Sequence, residues 1–232
     1  MRRRDLCGLV VDGPSSLKSI LVAGATGLVG SLCLQRLLAD PAFGRVVVLT
    51  RRPLGAQFQH PKLEQHVVDF ARLADYPDAF RVSHILCTLG TTIKQAGSQA
   101  RFREVDYDYP LQLARLGLAH GAQHFLLVSA LGANVNSSVF YSRVKGELEL
   151  QVRALPYPAM TIVRPSLLLG GRPEFRFGEE IGRRLAFLVP GKYKPVRADD
   201  VAKVLVDAAR RDVPGVQVIE SGDIRRRAAG LA

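Results

Sequence analysis

Two side chains with complementary proton chemistry stand four residues apart in Tyr141-Ser142-Arg143-Val144-Lys145. The spacing predicts a helix from Tyr141 to Ala154, and on a helix that separation puts both on one face. A lysine ammonium beside a phenol favours the phenolate and lowers the tyrosine pKa from its reference of about 10. The tyrosine can then exchange a proton with an alcohol or carbonyl oxygen near neutral pH. Ser129 lies upstream in Val128-Ser129-Ala130-Leu131-Gly132, at the end of an apolar strand pattern. Its hydroxyl could hold the same oxygen. Alone, the Tyr–Lys spacing is served equally well by a solvated pair on a helix surface, so the reading needs a second constellation.

Gly24-Ala25-Thr26-Gly27-Leu28-Val29-Gly30 supplies it, lying between the apolar run Ser19 to Ala23 and an amphipathic helix pattern. Gly24 permits a tight turn, Gly27 lets the backbone approach a pyrophosphate, and Gly30 lets the helix pack close to the strand. The helix N-terminus then offers free N–H groups and the positive end of its dipole. Three glycines are a weak signal by themselves and a much stronger one between a first strand and a first helix. The second strand ends in Val48-Leu49-Thr50-Arg51-Arg52-Pro53, and no acidic residue occurs between Asp40 and Glu64. NAD-preferring sites carry an Asp or Glu there for the ribose hydroxyls. Two guanidinium groups suit a 2′-phosphate instead, so NADP(H) is the expected cofactor. The competing reading of Arg51 and Arg52 is a solvated basic turn.

The elements that position these residues read as an alternation. Strands are expected at 19–23, 45–49, 63–68, 84–87, 124–128 and 160–163, with a last one at 216–219. Helices are expected at 28–38, 101–120, 141–154 and 199–210. Near-continuous β-branched and leucine runs between amphipathic helices indicate an α/β fold, a doubly wound, mostly parallel sheet of six or seven strands covered on both faces. Residues 1–18 read as an irregular extension, 19–222 as one dinucleotide-binding domain, 170–195 as a lid insertion within it, and 223–232 as a basic tail.

With these pieces in place, the sequence resembles the extended and atypical branch of the short-chain dehydrogenase/reductase superfamily. It is most similar there to the Tat-interacting-protein-like oxidoreductases and their bacterial homologues. The matching pieces are Gly24 to Gly30, Thr50-Arg51-Arg52, Val68-Asp69-Phe70, Cys87 to Thr92, Val105 to Tyr109, Ser129 to Gly132, Tyr141 to Lys145, Val163-Arg164-Pro165 and Asp199 to Ala202. The resemblance implies a Rossmann core, NADP(H) binding and a Ser129–Tyr141–Lys145 site. It further implies that Asp69 and Phe70 flank the adenine, that Leu89 and Gly90 line the cofactor groove, and that Pro165, Ser166 and Leu167 lie near the nicotinamide. Two departures stand out. Asp106 occupies the stretch where many members carry a relay asparagine. The chain also runs only from Lys145 to Ala232 beyond the motif, leaving little for a substrate domain. Two functions compete on this evidence: an oxidoreductase acting on a small carbonyl or alcohol, and an NADPH-binding sensor with weak or no catalysis.

Composition narrows the alternatives. The formal net charge is +11, from 32 Lys+Arg against 21 Asp+Glu, which attracts polyanions in general. The arginines are dispersed and no nucleic-acid module is recognisable, so a phosphorylated cofactor or acidic small molecule is favoured over nucleic acid. Arg172, Arg176, Arg183, Arg184, Lys192, Lys194 and Arg197 make the expected lid basic, consistent with an anionic substrate. Phe175, Phe177 and Phe187 read as lid core. No apolar run approaches the roughly 20 residues that span a bilayer, and polar breaks after Arg4 argue against a secretion signal, giving a cytoplasmic expectation. Cys7, Cys33 and Cys87 have no paired spacing, so no metal is expected from them, and the last two read as buried hydrophobes. Gly121 separates His120 from His124 and disfavours a shared metal. Asp199-Asp200 reads as a helix N-cap.

Overall fold

A computed structural model describes residues 17–55, 58–169 and 194–231. Seven parallel strands form one sheet: β1 (Lys18–Ala23), β2 (Phe43–Thr50), β3 (Leu63–Val67), β4 (His84–Cys87), β5 (His124–Val128), β6 (Ala159–Arg164) and, after a two-stranded annex, β9 (Gly215–Glu220). Their spatial order is β3-β2-β1-β4-β5-β6-β9, and every neighbouring pair runs parallel. The expected doubly wound fold is therefore present. The annex pairs β7 (Leu168–Leu169) with β8 (Val196–Arg197). It joins the two ends of the expected lid, whose residues 170–193, with Phe175, Phe177, Phe187 and five of the seven basic side chains, lie outside the described residues.

The alternation of side chains along each strand builds two cores. Ile20, Val22, Val46, Val48, Leu86, Leu126, Val163 and Ile219 face one helical layer. Leu21, Ala23, Val47, Leu49, Ile85, Cys87, Phe125, Leu127 and Ile162 face the other. This is the period-2 geometry of a strand buried on both sides. The first layer is α1 (Leu28–Ala39) against α6 (Ala198–Arg211), with Cys33, Leu34 and Leu37 meeting Val201, Ala202 and Leu205. The second includes α4 (Tyr109–Ala119) and α5 (Phe140–Arg153), with Leu113, Ala114, Leu148 and Val152 turned inward.

Three expectations change. The helix expected across 101–120 is α3 (Gln99–Arg103), a π-helical turn (Glu104–Asp108) and then α4. The extra residue in that turn is the kind of irregularity that concentrates at functional sites; Asp106 is buried there. The expected basic tail is a helix, α7 (Ser221–Ala228), anchored by the fully buried Ile224 and by Lys203 Nζ donating to Ala228 O at 2.6 Å. Its arginines hid one apolar anchor. Finally, β1 starts at Lys18, and of the expected extension only residue 17 precedes it in the described chain.

Candidate functional site

Strand order reverses direction between β1 and β4, and in such sheets ligands bind beyond the carboxyl ends at that switch point. The glycine turn is there. Gly24 has φ +93°, and a Cβ on it would lie 2.6 Å from Thr88 Oγ1 and 2.8 Å from the Thr88 carbonyl carbon. Thr88, just past β4, is fixed because its N–H and Oγ1 both donate to Ala23 O, at 2.8 and 3.0 Å. A Cβ on Gly30 would overlap Gly24 O. Both glycines are thus required by packing. Gly27 sits at the N-cap of α1 with no side-chain cap, which leaves the first-turn N–H groups for a ligand or water. Ala25 and Val29 are buried in the first core, so only their backbone can face a ligand. Thr26 is exposed and Leu28 half-buried.

Ala23 pairs with Leu49, which sets the end of β2 beside the turn. Arg51 and Arg52 follow and are exposed. Asp69 is exposed and its Oδ1 accepts from Ala71 N–H at 2.9 Å. Phe70 departs from its expected place: its ring is in the second core, 5.7 Å from the Tyr109 ring, and is not free to cover an adenine. Leu89 is half-buried and Gly90 exposed. Pro165 is buried, and its carbonyl accepts from Leu131 N–H at 2.9 Å. Ser166 Oγ donates to Lys194 O at 2.6 Å and accepts from Ser221 Oγ at 3.0 Å, while Leu167 is exposed.

The proton-handling residues meet at the same edge. Tyr141 and Lys145 are one turn apart on α5, and the Tyr141 ring packs 5.5 Å from Phe102. Lys145 is 3% exposed, and its Nζ is 2.7 Å from Asp106 Oδ1. Asp106 is 1% exposed, and its Oδ2 accepts from Thr91 N–H at 2.8 Å. Burial alone would push the Lys145 pKa down. The Asp106 carboxylate, with Tyr141 adding to it, outweighs that and holds the ammonium above its ordinary value. Cys87 lies near the pair, its thiol pushed up to about 12 by burial, as is that of Cys33. These two are inert packing groups, as expected.

Ser129 does not stand as expected. It is 4% exposed, and its Oγ donates to Glu149 Oε1 at 2.6 Å. A hydroxyl has one proton, so in this arrangement Ser129 cannot also donate to a substrate oxygen. Glu149, buried at 3%, further accepts from Arg164 Nε at 2.9 Å and Arg164 Nη2 at 2.6 Å, and from Arg153 at 3.2 Å. Arg164 Nη1 continues to Glu220 at 2.8 Å. Sequence reasoning missed Glu149 and Arg164. The available signal was an acid two turns beyond Tyr141, between the apolar Leu148 and Val152, on the inner face of its helix.

At the opposite, amino-terminal edge lies a cluster that was also missed. Asp212 Oδ1 is 2.7 Å from His84 Nε2 and 2.8 Å from His124 Nδ1, and Lys18 Nζ donates to Asp212 Oδ2 at 2.5 Å. Asp212 has φ +46° and ends α6. Burial pushes both histidines below their ordinary pKa. Burial would raise Asp212, but Lys18, His124 and His84 together lower it to about 2. The three ligand atoms lie within 4.8 Å of one another, yet the Lys18 ammonium already supplies the counter-charge. His120 does not join them: its Nδ1 is 2.9 Å from Leu116 O. Nor do the acids opening α6 cap it. The N-cap is Arg197, and Asp199 Oδ1 instead accepts from Arg36 at 2.6 Å.

Comparison with known proteins agrees with this geometry. The family model described as NAD(P)H-binding matches residues 24–212. The chain is 36% identical to protein HTATIP2 of Rattus norvegicus over 205 residues, covering 88% of this chain and 84% of that protein. It is 32% identical over 206 residues to protein FMP52, mitochondrial, of Candida albicans, covering 85% and 90%. In fold it is similar to UDP-glucose 4-epimerase of Thermotoga maritima, with TM-score 0.67, 18% identity and coverage of 92% and 81%. The Bordetella bronchiseptica enzyme WbmH, solved with NAD+, gives TM-score 0.69 at 15% identity, with coverage of 91% and 79%. Among the described residues no helix is long and apolar enough to cross a membrane.

Proposed function

The chain belongs to the NAD(P)H-binding family, and from that premise we propose that it is an NADP(H)-dependent oxidoreductase of the short-chain dehydrogenase/reductase type acting on a small carbonyl or alcohol. One observation carries the reading: the buried Lys145 ammonium, one helical turn from Tyr141, pairs with Asp106, which is bound to Thr91 in the same loop after β4 whose Thr88 packs against the glycine turn. The residues fit the cofactor. Backbone N–H groups at the start of α1 would hold the pyrophosphate, Arg51 and Arg52 a 2′-phosphate. Asp69, the Phe70 backbone, Leu89, Gly90 and the Pro165–Leu167 segment would border the groove. When bound, the nicotinamide supplies or accepts the hydride. Tyr141 gives a proton to the substrate oxygen in reduction and takes it back in oxidation, while Lys145 holds the nicotinamide ribose and the charge beside the phenol. Ser129 has no part in this as a donor, because its hydroxyl already donates to Glu149.

NADPH oxidation screened over aldehydes, ketones and quinones tests the proposal. Tyr141→Phe should reduce turnover about 10²–10⁴-fold, the range for a positioned acid. Turnover unchanged in that variant would remove the tyrosine. A second reading, an NADPH-binding sensor, is favoured by the engaged Ser129; tight NADPH binding with no turnover on any substrate would establish it. The basic residues flanking and within 170–195 make anionic substrates the first group to screen, and a cytoplasmic setting belongs to the same proposal.

A further inference from the structure

Asp106 is the feature of the site that its proposed chemistry leaves unused. It is buried beside the Tyr–Lys pair, at 1% exposure, in the π-helical turn between α3 and α4. Its Oδ1 makes a close ion pair with Lys145 Nζ at 2.7 Å, without hydrogen-bond alignment, and its Oδ2 accepts from the main-chain N–H of Thr91 at 2.8 Å. We propose that Asp106 is a positioning residue that holds Lys145 as a neutral ion pair, so that Tyr141 is kept as a proton donor and alcohol oxidation demands more alkaline solution than carbonyl reduction.

The argument is one of charge. A lone buried ammonium beside a phenol pulls strongly toward the phenolate, because little water screens it. Here the ammonium lies against a carboxylate of equal and opposite charge. The phenol on α5 therefore faces a dipole rather than a net positive charge. The groups around the pair reinforce this. From β4 comes the Cys87 thiol, held protonated by burial. From α3 comes Phe102, an apolar ring against Tyr141. Arg103 is paired with Glu147 at 2.6 Å and lies over the Tyr107 ring, and Arg143 donates to the Ser137 carbonyl at 2.8 Å. Among the described residues, these two cations thus already have partners of their own. Asp106 also ties Lys145 to the loop after β4, whose Gly90 would bring a Cβ to 3.5 Å from Asp106 Oδ1, so the same carboxylate sets the lysine against the cofactor groove. In carbonyl reduction Tyr141 would give its proton to the new alcohol oxygen, with the hydride supplied by the reduced cofactor when bound. The phenolate left behind regains its proton from solvent, while Lys145 stays an ammonium and Asp106 a carboxylate throughout.

The inference rests on Tyr141 and Lys145 forming the reductase pair, and its test is read without substrate or cofactor, so it can fail separately. Tyrosinate absorbance is followed against pH in the intact protein, and the Tyr141 component is taken as the difference from Tyr141→Phe. In D106N that component should move to lower pH by on the order of one unit, the effect of uncovering one nearby charge. In D106N/K145M the whole ion pair is gone and the component should return to within about a third of that shift from wild type. The double variant buries no orphaned charge, so it keeps the test open if D106N fails to fold. Where turnover exists, the rising limb of oxidation against pH should move down with the D106N titration. A folded D106N that binds NADPH and titrates like wild type would overturn the proposal, as would a double variant displaced by a full unit in either direction.

Discussion

Replacing Ser129 with alanine separates two roles that a strand-end serine can play. In the structure its hydroxyl points away from solvent and donates to the buried Glu149 carboxylate at 2.6 Å. Deleting one hydrogen bond to a buried charged group costs about 1.5–3 kcal/mol. For a chain of this size, each kcal/mol lowers Tm by about 2–4 °C, so S129A should melt about 3–12 °C below wild type. Calorimetry or near-ultraviolet circular dichroism reads this directly. NADPH affinity should stay within about threefold, because the hydroxyl touches none of the groove residues. Glu149 provides the internal control. In an E149Q background the acceptor is already altered, so removing the Ser129 hydroxyl should cost less there; a coupling of about 0.5–3 kcal/mol is the scale for residues in one network. The reasoning fails if S129A melts like wild type but loses turnover a hundredfold or more. That pattern would mean the hydroxyl turns toward substrate in the working enzyme.

Three further outcomes follow from the same geometry. R51E/R52A should weaken NADPH binding by about 1–3 kcal/mol, the range for lost charge-assisted contacts, and wild-type protein should bind NADP(H) more tightly than NAD(H) by calorimetry; equal wild-type affinities would refute the assignment. G30A places a methyl group on the Gly24 carbonyl; it should destabilise by about 1–3 kcal/mol as an overpacked site and lose NADPH binding more than tenfold by fluorescence titration, and a variant binding normally would show that the turn is not the phosphate site. His84 and His124 are held below their ordinary pKa by burial, so below about pH 6.5 the unfolded chain takes up protons that the folded one resists. Stability should therefore be full above that value and fall as pH drops from about 7 to 5. Asp212, lowered to about 2, keeps its contribution across that window and loses it only in stronger acid. H124Q should flatten the slope of Tm against pH, and an unchanged slope would rule the pair out as its source.

The architecture was legible because it is written in local periodicity. Strands such as Ile20–Ala23 and Phe125–Leu127 send alternate residues into two different helical layers, so both sets must be apolar and the run is continuous. The glycine turn was legible for a related reason: Gly24 and Gly30 have no room for a side chain, so the constraint is visible as residue type. What local pattern could not show was the interruption of one helix. Arg101 to His120 carries a sustained helical pattern, and nothing in it announces the π-helical turn at Glu104–Asp108. That turn depends on what Asp106 meets, and its partners are 15 and 39 residues distant at Thr91 and Lys145. The terminal helix was hidden differently, by three consecutive arginines that made a segment with one buried isoleucine look like a solvated tail.

The same distinction explains why the site was half read. Residue types and helical spacing bring Tyr141 and Lys145 to one face of α5 without reference to the rest of the chain. Which groups pair with them is a tertiary matter, and pairing decides the chemistry. A serine at a strand end reads as a substrate donor until a glutamate two turns beyond the tyrosine is found accepting its hydrogen bond. A lysine reads as a bare cation until an aspartate from another helix covers it. Phe70 reads as a lid for an adenine until its ring is found packed on Tyr109. In each case a polar or aromatic side chain expected at the ligand is satisfied by the protein itself, inside a layer where an unpaired polar group would be costly. The backbone of the glycine turn, the open first turn of α1 and the exposed guanidinium groups of Arg51 and Arg52 are the contrasting case. Thr26, Arg51 and Arg52 are exposed and the first turn of α1 has no side-chain cap, which is the condition for meeting a ligand rather than the fold. Tyr141, half-buried and packed against Phe102, belongs with them, and on that ground the proposed mechanism gives the proton transfer to it rather than to the buried Ser129 or Lys145.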